Sequence, residues 1–337
     1  MRHENFLTDT TISDTGFRSG IRRRMNELKN PNGKLHPELH AEYLMNDGKE
    51  YSFGLDVRLV GWQKILPDTT YPLKEHPKGY SFDVRKGRIL SDEYLLVYIT
   101  DGTGKFYVKK NEWGGVSVKG GTLFWLTPGQ WHSYMPDIQT GWTEYYIGYK
   151  GEEVEKFIRH SFMEGKSGAF DIGLNEELVS LYMRALDIAR LKDSFYQSYL
   201  SGIVLHMLGL VMSRLKEKVD YSCKNEQKIE LAKIIMREKL AANLDFKQLA
   251  GSLDLSYSYF RRLFKDYTGI GPARYFFELK IDKVKQLLLT TDMSVKEILY
   301  TLGYNTTENF HVVFKKHTGY TPIEYRRMML EKKKVIG

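Results

Sequence analysis

A chain of 337 residues can hold two or three domains with cores of their own. Hydrophobic residues make up 42% and charged residues 27%, the balance of a soluble globular protein, and no uninterrupted run of 18 apolar residues suggests a membrane span. One cysteine, Cys223, excludes an internal disulfide, and the first twenty residues lack the apolar core of a secretory signal, so the expected compartment is the reducing cytoplasm.

Residues 1–55 are polar and broken by Asn-Pro-Asn-Gly at 30–33 and Asn-Asp-Gly at 46–48, which predicts an arm with one short helix. The run Arg22-Arg23-Arg24 within it reads as a solvated patch. Residues 56–150 are rich in Tyr, Trp, Val and Gly, and predict a small β-barrel or sandwich of short strands. Tyr94–Ile99 reads as a strand that ends in a hairpin turn at Asp101-Gly102, with Lys105–Lys109 as the return strand. Leu123–Leu126 and Trp142–Tyr149 are further strands. Residues 151–218 turn helical. Asn175 starts one helix, in which Leu178, Leu181, Tyr182, Ala185, Ile188 and Ala189 recur at helical spacing. A second helix from about Tyr196 to Leu215 carries Leu200, Ile203, Val204, Met207, Leu208 and Val211. This hairpin has spare apolar surface, which can pack on the barrel or form a dimer interface. Residues 219–228 read as a polar linker, 229–328 as an all-helical domain and 329–337 as a basic tail.

The net charge is +8, and nearly all of it gathers at the end: from Asn225 to Gly337 there are 20 lysines and arginines against 13 acidic residues. A local basic excess is the footprint of a polyanion binder. The same region repeats itself. Leu249-Ala250, Phe264-Lys265, Thr268-Gly269, Pro272 and Tyr275 return as Ile298-Leu299, Phe314-Lys315, Thr318-Gly319, Pro322 and Tyr325. The offset is 49 before the turn and 50 after it, so the second copy has one extra residue in its turn or at the start of the next helix.

Each copy has the mechanics of a helix-turn-helix. A short helix (246–253; 295–302) meets a turn at Asp254 or Gly303, residue types that tolerate positive φ. Ser256 in the first copy, and Asn305 or Thr306 in the second, can cap the helix that follows. That helix (257–267; 307–317) packs through Phe260 with Phe264, or Phe310 with Phe314, at i, i+4 spacing. Polar side chains remain for DNA: Ser256, Tyr257, Ser258, Arg261, Arg262 and Lys265 in the first copy, and Asn305, Thr306, Thr307, Glu308, Asn309, His311 and Lys315 in the second. Arginine can read guanine, asparagine adenine, and lysine can hold phosphate. Between the copies, Ala273 to about Leu289 reads as an amphipathic connector, which would let one monomer occupy two successive major grooves about 34 Å apart.

At these residues the chain resembles the AraC/XylS family of bacterial regulators. The likeness is densest over Gly303-Tyr304 to Phe310, Phe314 to Pro322 and Tyr325-Arg326. Leu299 stands where the family usually has alanine, and Asn309 where it often has tyrosine, so base preference does not carry over. Glu93 to Tyr98, Gly121-Thr122-Leu123, Pro128 to Tyr134 and Phe170 to Gly173 resemble that family's cupin-like sensor. The resemblance implies an α+β multidomain chain: a cupin-like β-barrel, a helical hairpin expected to serve dimerisation, and an all-α domain of two tandem helix-turn-helix units. By motif position it implies an effector pocket at Arg88, Tyr134, Glu144 and Tyr146. Period-2 alternation places Trp142 on the same strand face as Glu144 and Tyr146. Aromatic walls with a few polar anchors suit a sugar or another small polar effector.

The expected partners are double-stranded DNA, that effector, RNA polymerase and a second copy of the chain, with no membrane. The sign of regulation implied by the family is activation. A ligand-independent DNA binder is the alternative. A cupin enzyme would need clustered His and Glu ligands; His132 is the sole histidine in the relevant strands, and His36 and His40 lie in the arm, so no catalytic residue, cofactor or metal is expected. A methyl-transfer repair sensor would need more cysteines than Cys223.

Overall fold

A computed structural model describes residues 37–44, 53–77, 82–110, 114–216, 224–304 and 308–336. The N-terminal half is an antiparallel sheet bent into two layers. Its strands are β1 (Glu38–Tyr43), β2 (Asp56–Ile65), β3 (Arg88–Ile89), β4 (Tyr94–Tyr107), β5 (Val116–Lys119), β6 (Thr122–Leu126), β7 (Trp131–Pro136), β8 (Trp142–Lys150) and β9 (Gly168–Asp171). One layer runs β1-β2-β8-β4-β6-β9. The far half of β4 leaves it to pair with β5 and β7, and β7 carries β3.

That switch corrects the reading of Asp101-Gly102 as a hairpin turn. The strand does not reverse there. It pairs with β6 up to Tyr98 and with β8 up to Gly102, shifting register against β8 between Ile99 and Asp101, and from Thr103 pairs with β5. The glycine is required because φ at Gly102 is +83° and a Cβ would meet the Trp142 backbone at 2.6 Å. Residues 105–107, expected as a return strand, continue the same strand in the second layer.

Two other boundaries move. Residues 38–43 of the expected arm form β1, paired along its whole length with β2; the predicted short helix and the Arg22 to Arg24 run lie outside the described residues. The expected helical segment contains α1 (Glu152–Arg159) and then β9, a strand that pairs with β6, before α2 (Glu176–Leu191) and α3 (Tyr196–Lys216). Neither short strand has enough residues to show a period; the sheet edge that each completes decides it.

The two faces of the sheet serve different cores. Leu95, Val97, Ile99, Phe106, Phe124, Tyr134, Trp142 and Tyr146 point between the layers. Leu96, Tyr98, Trp125, Tyr145, Ile147 and Tyr149 point the other way, onto Leu178, Tyr182, Ala185, Leu200, Val204, Met207 and Val211 of α2 and α3. The hairpin therefore spends one face on the sheet. Asn175 caps α2 by accepting from the Leu178 amide at 2.7 Å. By length and composition α3 could cross a membrane, and here its apolar stripe is buried in this core.

The C-terminal half is helical: α4 (Lys224–Glu238), α5 (Phe246–Ser252), α6 (Tyr257–Thr268), α7 (Pro272–Thr290), α8 (Val295–Thr301), α9 (Glu308–Thr318) and α10 (Pro322–Ile336). The expected linker is thus shorter, since α4 starts at Lys224, and the expected tail is the last part of α10. Ile229, Ala232 and Met236 of α4 join the core of the first helix-turn-helix, while Ile234 on the opposite side joins the core under the sheet. One helix therefore belongs to both domains.

Candidate functional site

The two helix-turn-helix units are built from the same parts. In the first, Asp245 caps α5, Asp254 turns the chain at φ +53°, and Ser256 caps α6 by accepting from Tyr259. In the second, Ser294 and Glu297 form a reciprocal capping box on α8, and Gly303 makes the turn at φ +76°. Phe260 and Phe264 are buried in one core, Phe310 and Phe314 in the other. Both recognition helices stop alike. The Thr268 hydroxyl donates to the Phe264 carbonyl at 2.7 Å and that of Thr318 to the Phe314 carbonyl at 2.8 Å, and Gly269 and Gly319 then take positive φ.

Of the expected DNA-facing residues, Ser256, Ser258, Arg261, Arg262 and Lys265 are exposed on or beside α6. Tyr257 is half-buried against the first core, and the Arg261 guanidinium lies over its ring at 5.8 Å. Arg262 lies over Tyr259 at 5.3 Å. Lys315 is exposed and His311 half-buried on α9. Asn305, Thr306 and Thr307 lie outside the described residues, and Glu308 and Asn309 are described by their helical backbone alone. The connector α7 gives Phe276 to the first core and Ile281, Val284 and Leu288 to the second, which fixes one unit on the other.

The pocket between the sheet layers gathers Arg88, Tyr134, Glu144 and Tyr146 around one small cavity of about 40 Å³. Trp142 lies behind that wall, edge-on to Tyr71 and tilted against Tyr134. Arg88 donates through Nη2 to the Tyr134 hydroxyl at 2.9 Å and through Nε to His132 Nε2 at 3.2 Å. Opposite it, a chain of polar groups ends on the carboxyl. Tyr43 bonds His76 Nδ1 at 2.6 Å, His76 Nε2 meets Gln63 Oε1 at 2.9 Å, and the Gln63 amide donates to Glu144. Tyr71 also donates to Glu144, at 3.3 Å. Because Gln63 accepts through Oε1, His76 carries its proton on Nε2 and accepts from Tyr43.

Burial pushes the Glu144 carboxyl up to about 7, against the opposing pull of Gln63 and Tyr71. Burial, helped by Arg88, pushes His132 down to about 4 and lowers His76 as well. Arg88 is therefore the fixed charge of a pocket whose histidines are neutral. The Tyr146 hydroxyl is buried with no hydrogen-bond partner among the described residues, a polar group that a ligand could satisfy. Tyr43, Gln63, Tyr71, His76 and Phe82 were not legible as pocket residues. Gln63 had a signal, since it sits on the inward phase of β2; Tyr71 and His76 come from a loop with no period at all.

A model of a helix-turn-helix domain matches residues 249–328, and one of the AraC-like ligand-binding domain matches residues 80–202. The chain therefore carries an AraC-type helix-turn-helix domain and an AraC-like ligand-binding domain, and its relatives are operon regulators of the AraC/XylS family. It is a DNA-binding transcription regulator with a ligand-binding and a DNA-binding domain. The regulator is 29% identical over 246 residues to the MmsAB operon regulatory protein of Pseudomonas aeruginosa, covering 73% of this chain and 78% of that protein. It is 24% identical to the raffinose operon transcriptional regulatory protein RafR of Pediococcus pentosaceus, over 82% of this chain and 95% of that one. Among solved structures, the C-terminal domain of the response regulator yesN from Fusobacterium nucleatum is 34% identical with a TM-score of 0.28, covering 29% of this chain and 95% of that domain.

The polar contacts between sensor and DNA-binding domain centre on Glu176, at the first turn of α2. Its carboxylate accepts from Arg237, lies 3.8 Å from Lys233, and accepts from the Tyr275 hydroxyl at 3.4 Å. Its backbone amide donates to Glu230 at 2.7 Å. Farther along, Asp187 accepts from Lys283 at 2.9 Å and Gln286 at 2.8 Å on α7. From the sheet itself, the Tyr145 hydroxyl donates to Glu238 of α4 at 2.6 Å.

Proposed function

We propose that the regulator is a cytoplasmic homodimer that activates transcription when a small polar molecule of the sugar class enters the pocket between the sheet layers. The supporting observation is the alternation along β8. Glu144 and Tyr146 face the pocket, and Tyr145 between them faces α4 and bonds Glu238. A strand shift of the kind that a ligand would impose on Glu144 moves the anchor of the DNA-binding domain with it. A 40 Å³ cavity holds water rather than a sugar, so ligand entry has to displace side chains, with the Tyr71 and His76 loop the movable wall. The ligand then binds the two arrangements differently, which is what a shift in population requires.

A polyol suits the electrostatics: hydroxyls can donate to Glu144 and accept from Arg88 and Tyr146. RafR, one of the relatives, is named for a raffinose operon. The DNA contacts come from the exposed side of α6, with Arg261, Arg262 and Lys265, and from the start and outer face of the second recognition helix, with Asn305 to Asn309, His311 and Lys315. The dimer forms through the side of α3 that the sheet leaves open, where Tyr199 and Leu205 are exposed beside Gly202 and Gly209. Linking two DNA-binding domains raises the effective concentration at a second half-site, and RNA polymerase is recruited from that site.

The test is genome-wide mapping of bound DNA with and without sugars, paired with thermal shift against a sugar panel. A sugar that raises the melting temperature and changes occupancy at a small set of promoters is the expected result. Strong, site-specific occupancy that no sugar or small metabolite alters would leave a ligand-independent DNA binder.

A further inference from the structure

The face of the second recognition helix that looks away from its core is centred on an apolar residue. Two residues are about 200° of helical turn, so Val312, two after Phe310 and two before Phe314, lies opposite both buried rings. It is 70% exposed, more than any other large hydrophobic side chain among the described residues. Exposed lysines, Lys315 and Lys316, follow it one turn on. The repeat offset of 50 places Arg262 at the matching position of the first unit, opposite Phe260 and Phe264. Two copies of one scaffold therefore present different chemistry at the same point: a guanidinium in one, an isopropyl group in the other.

We propose that Val312 is a specificity-determining residue that packs on the 5-methyl group of a thymine in the groove entered by the second unit. This rests on the reading of both units as groove-binding. In the major groove, three of the four bases show hydrogen-bonding edges alone, and thymine adds a methyl. A valine at the centre of a recognition face cannot satisfy a donor or acceptor there, and burying it against guanine or cytosine would strand their polar edges. Flanking lysines reach phosphates and hold the helix in register. Scattered exposed valines are ordinary; this one is set apart by its place one turn before Lys315 and Lys316, on the face that its own repeat fills with arginine.

The test uses the full chain and the duplex that it selects from a random library. Each thymine is replaced in turn by deoxyuridine, which keeps the base pair and removes the methyl. In wild-type protein one thymine in the half-site of the second unit should cost about fourfold in affinity, the factor for one methyl-sized group leaving an apolar contact. Val312→Ala should lose that sensitivity and Arg262→Ala should keep it. Val312 is exposed, so its replacement leaves the fold intact. No uracil-sensitive thymine in that half-site, or the same sensitivity in Val312→Ala, would overturn the proposal. So would a Val312→Ala protein with unchanged DNA binding but lost activation, which would make Val312 a contact for another protein. A footprint confined to one groove would overturn the underlying reading of the second unit as well, and is distinguished from the other outcomes by its length.

Discussion

The two helix-turn-helix units share a scaffold and differ in what holds them. The first is bonded to the sensor: α4 bridges two cores, and Arg237, Lys233 and Tyr275 converge on Glu176. The second has its own core around Phe310 and Phe314 and is tied to the first through α7. At the junction Lys280 is buried, donating to the Leu302 carbonyl at 2.8 Å and lying between the Phe276 and Tyr304 rings. A signal from the sensor therefore meets the first unit through α4 and Glu176, and the second through α7, which Asp187 holds at Lys283 and Gln286.

The largest expected effect breaks the frames themselves. Phe264→Ala or Phe314→Ala should each cost about 3–5 kcal/mol in the affected unit, because a buried ring leaves a cavity. Hydrogen exchange should show protection lost around α8 and α9 in Phe314→Ala, with α4 and its contacts to Glu176 unchanged. Loss spreading to α4 would mean that the two cores behave as one.

The next effect concerns the pocket. The folded-state pKa of Glu144, near 7, lies above its ordinary value of 4.5. The folded protein therefore holds that proton more tightly than the unfolded chain. The stability this gives is present below about pH 4.5 and is lost as pH rises through 7, by a total on the order of 3 kcal/mol. Thermal melts of wild type should fall across pH 5–7.5 more steeply than those of Glu144→Gln. Parallel slopes would show that Glu144 does not titrate there.

Glu176→Gln separates the units more finely. It removes the charge that faces Arg237 and Lys233, whose side chains are 22% and 16% exposed. The expected loss is about 2 kcal/mol of docking, below that of a fully buried pair because water still reaches both cations. Hydrogen exchange along α4 should quicken while the DNA affinity of the full chain stays within twofold, roughly the change that a few tenths of a kcal/mol gives; unchanged exchange in α4 would show that Glu176 does not hold the docking.

The smallest effects lie in the turns. Gly303→Ala should cost about 1–2 kcal/mol for a side chain at φ +76°, and more if the new Cβ, 2.6 Å from the Ala241 carbonyl oxygen, cannot be relieved. Asp254→Gly, at φ +53°, should be neutral or slightly stabilising, since it removes the same strain from the first copy. Denaturant melts that rank the two alike would show that the turns are not equivalent in load.

Much of this was readable from residue order because it is local. Helix periods, the Thr-Gly stops, the prolines that follow and the 50-residue offset all depend on neighbours within a few positions, and they located both units to within a residue or two at helix ends. Alternation along 142–149 likewise put Glu144 and Tyr146 on one face. Residue order alone could not give the partner of each strand. Asp101-Gly102 has the composition of a hairpin turn, yet β4 passes through it because β5, β7 and the second sheet layer take up its far half. β1 and β9 are strands because sheet edges wait for them, and Tyr71 and His76 face Glu144 because a loop without periodicity is folded over the pocket. Only tertiary packing decided that α4 serves two cores and that Glu176 joins the sensor to the DNA-binding domain, since those contacts join residues more than fifty positions apart, where local propensity has no say.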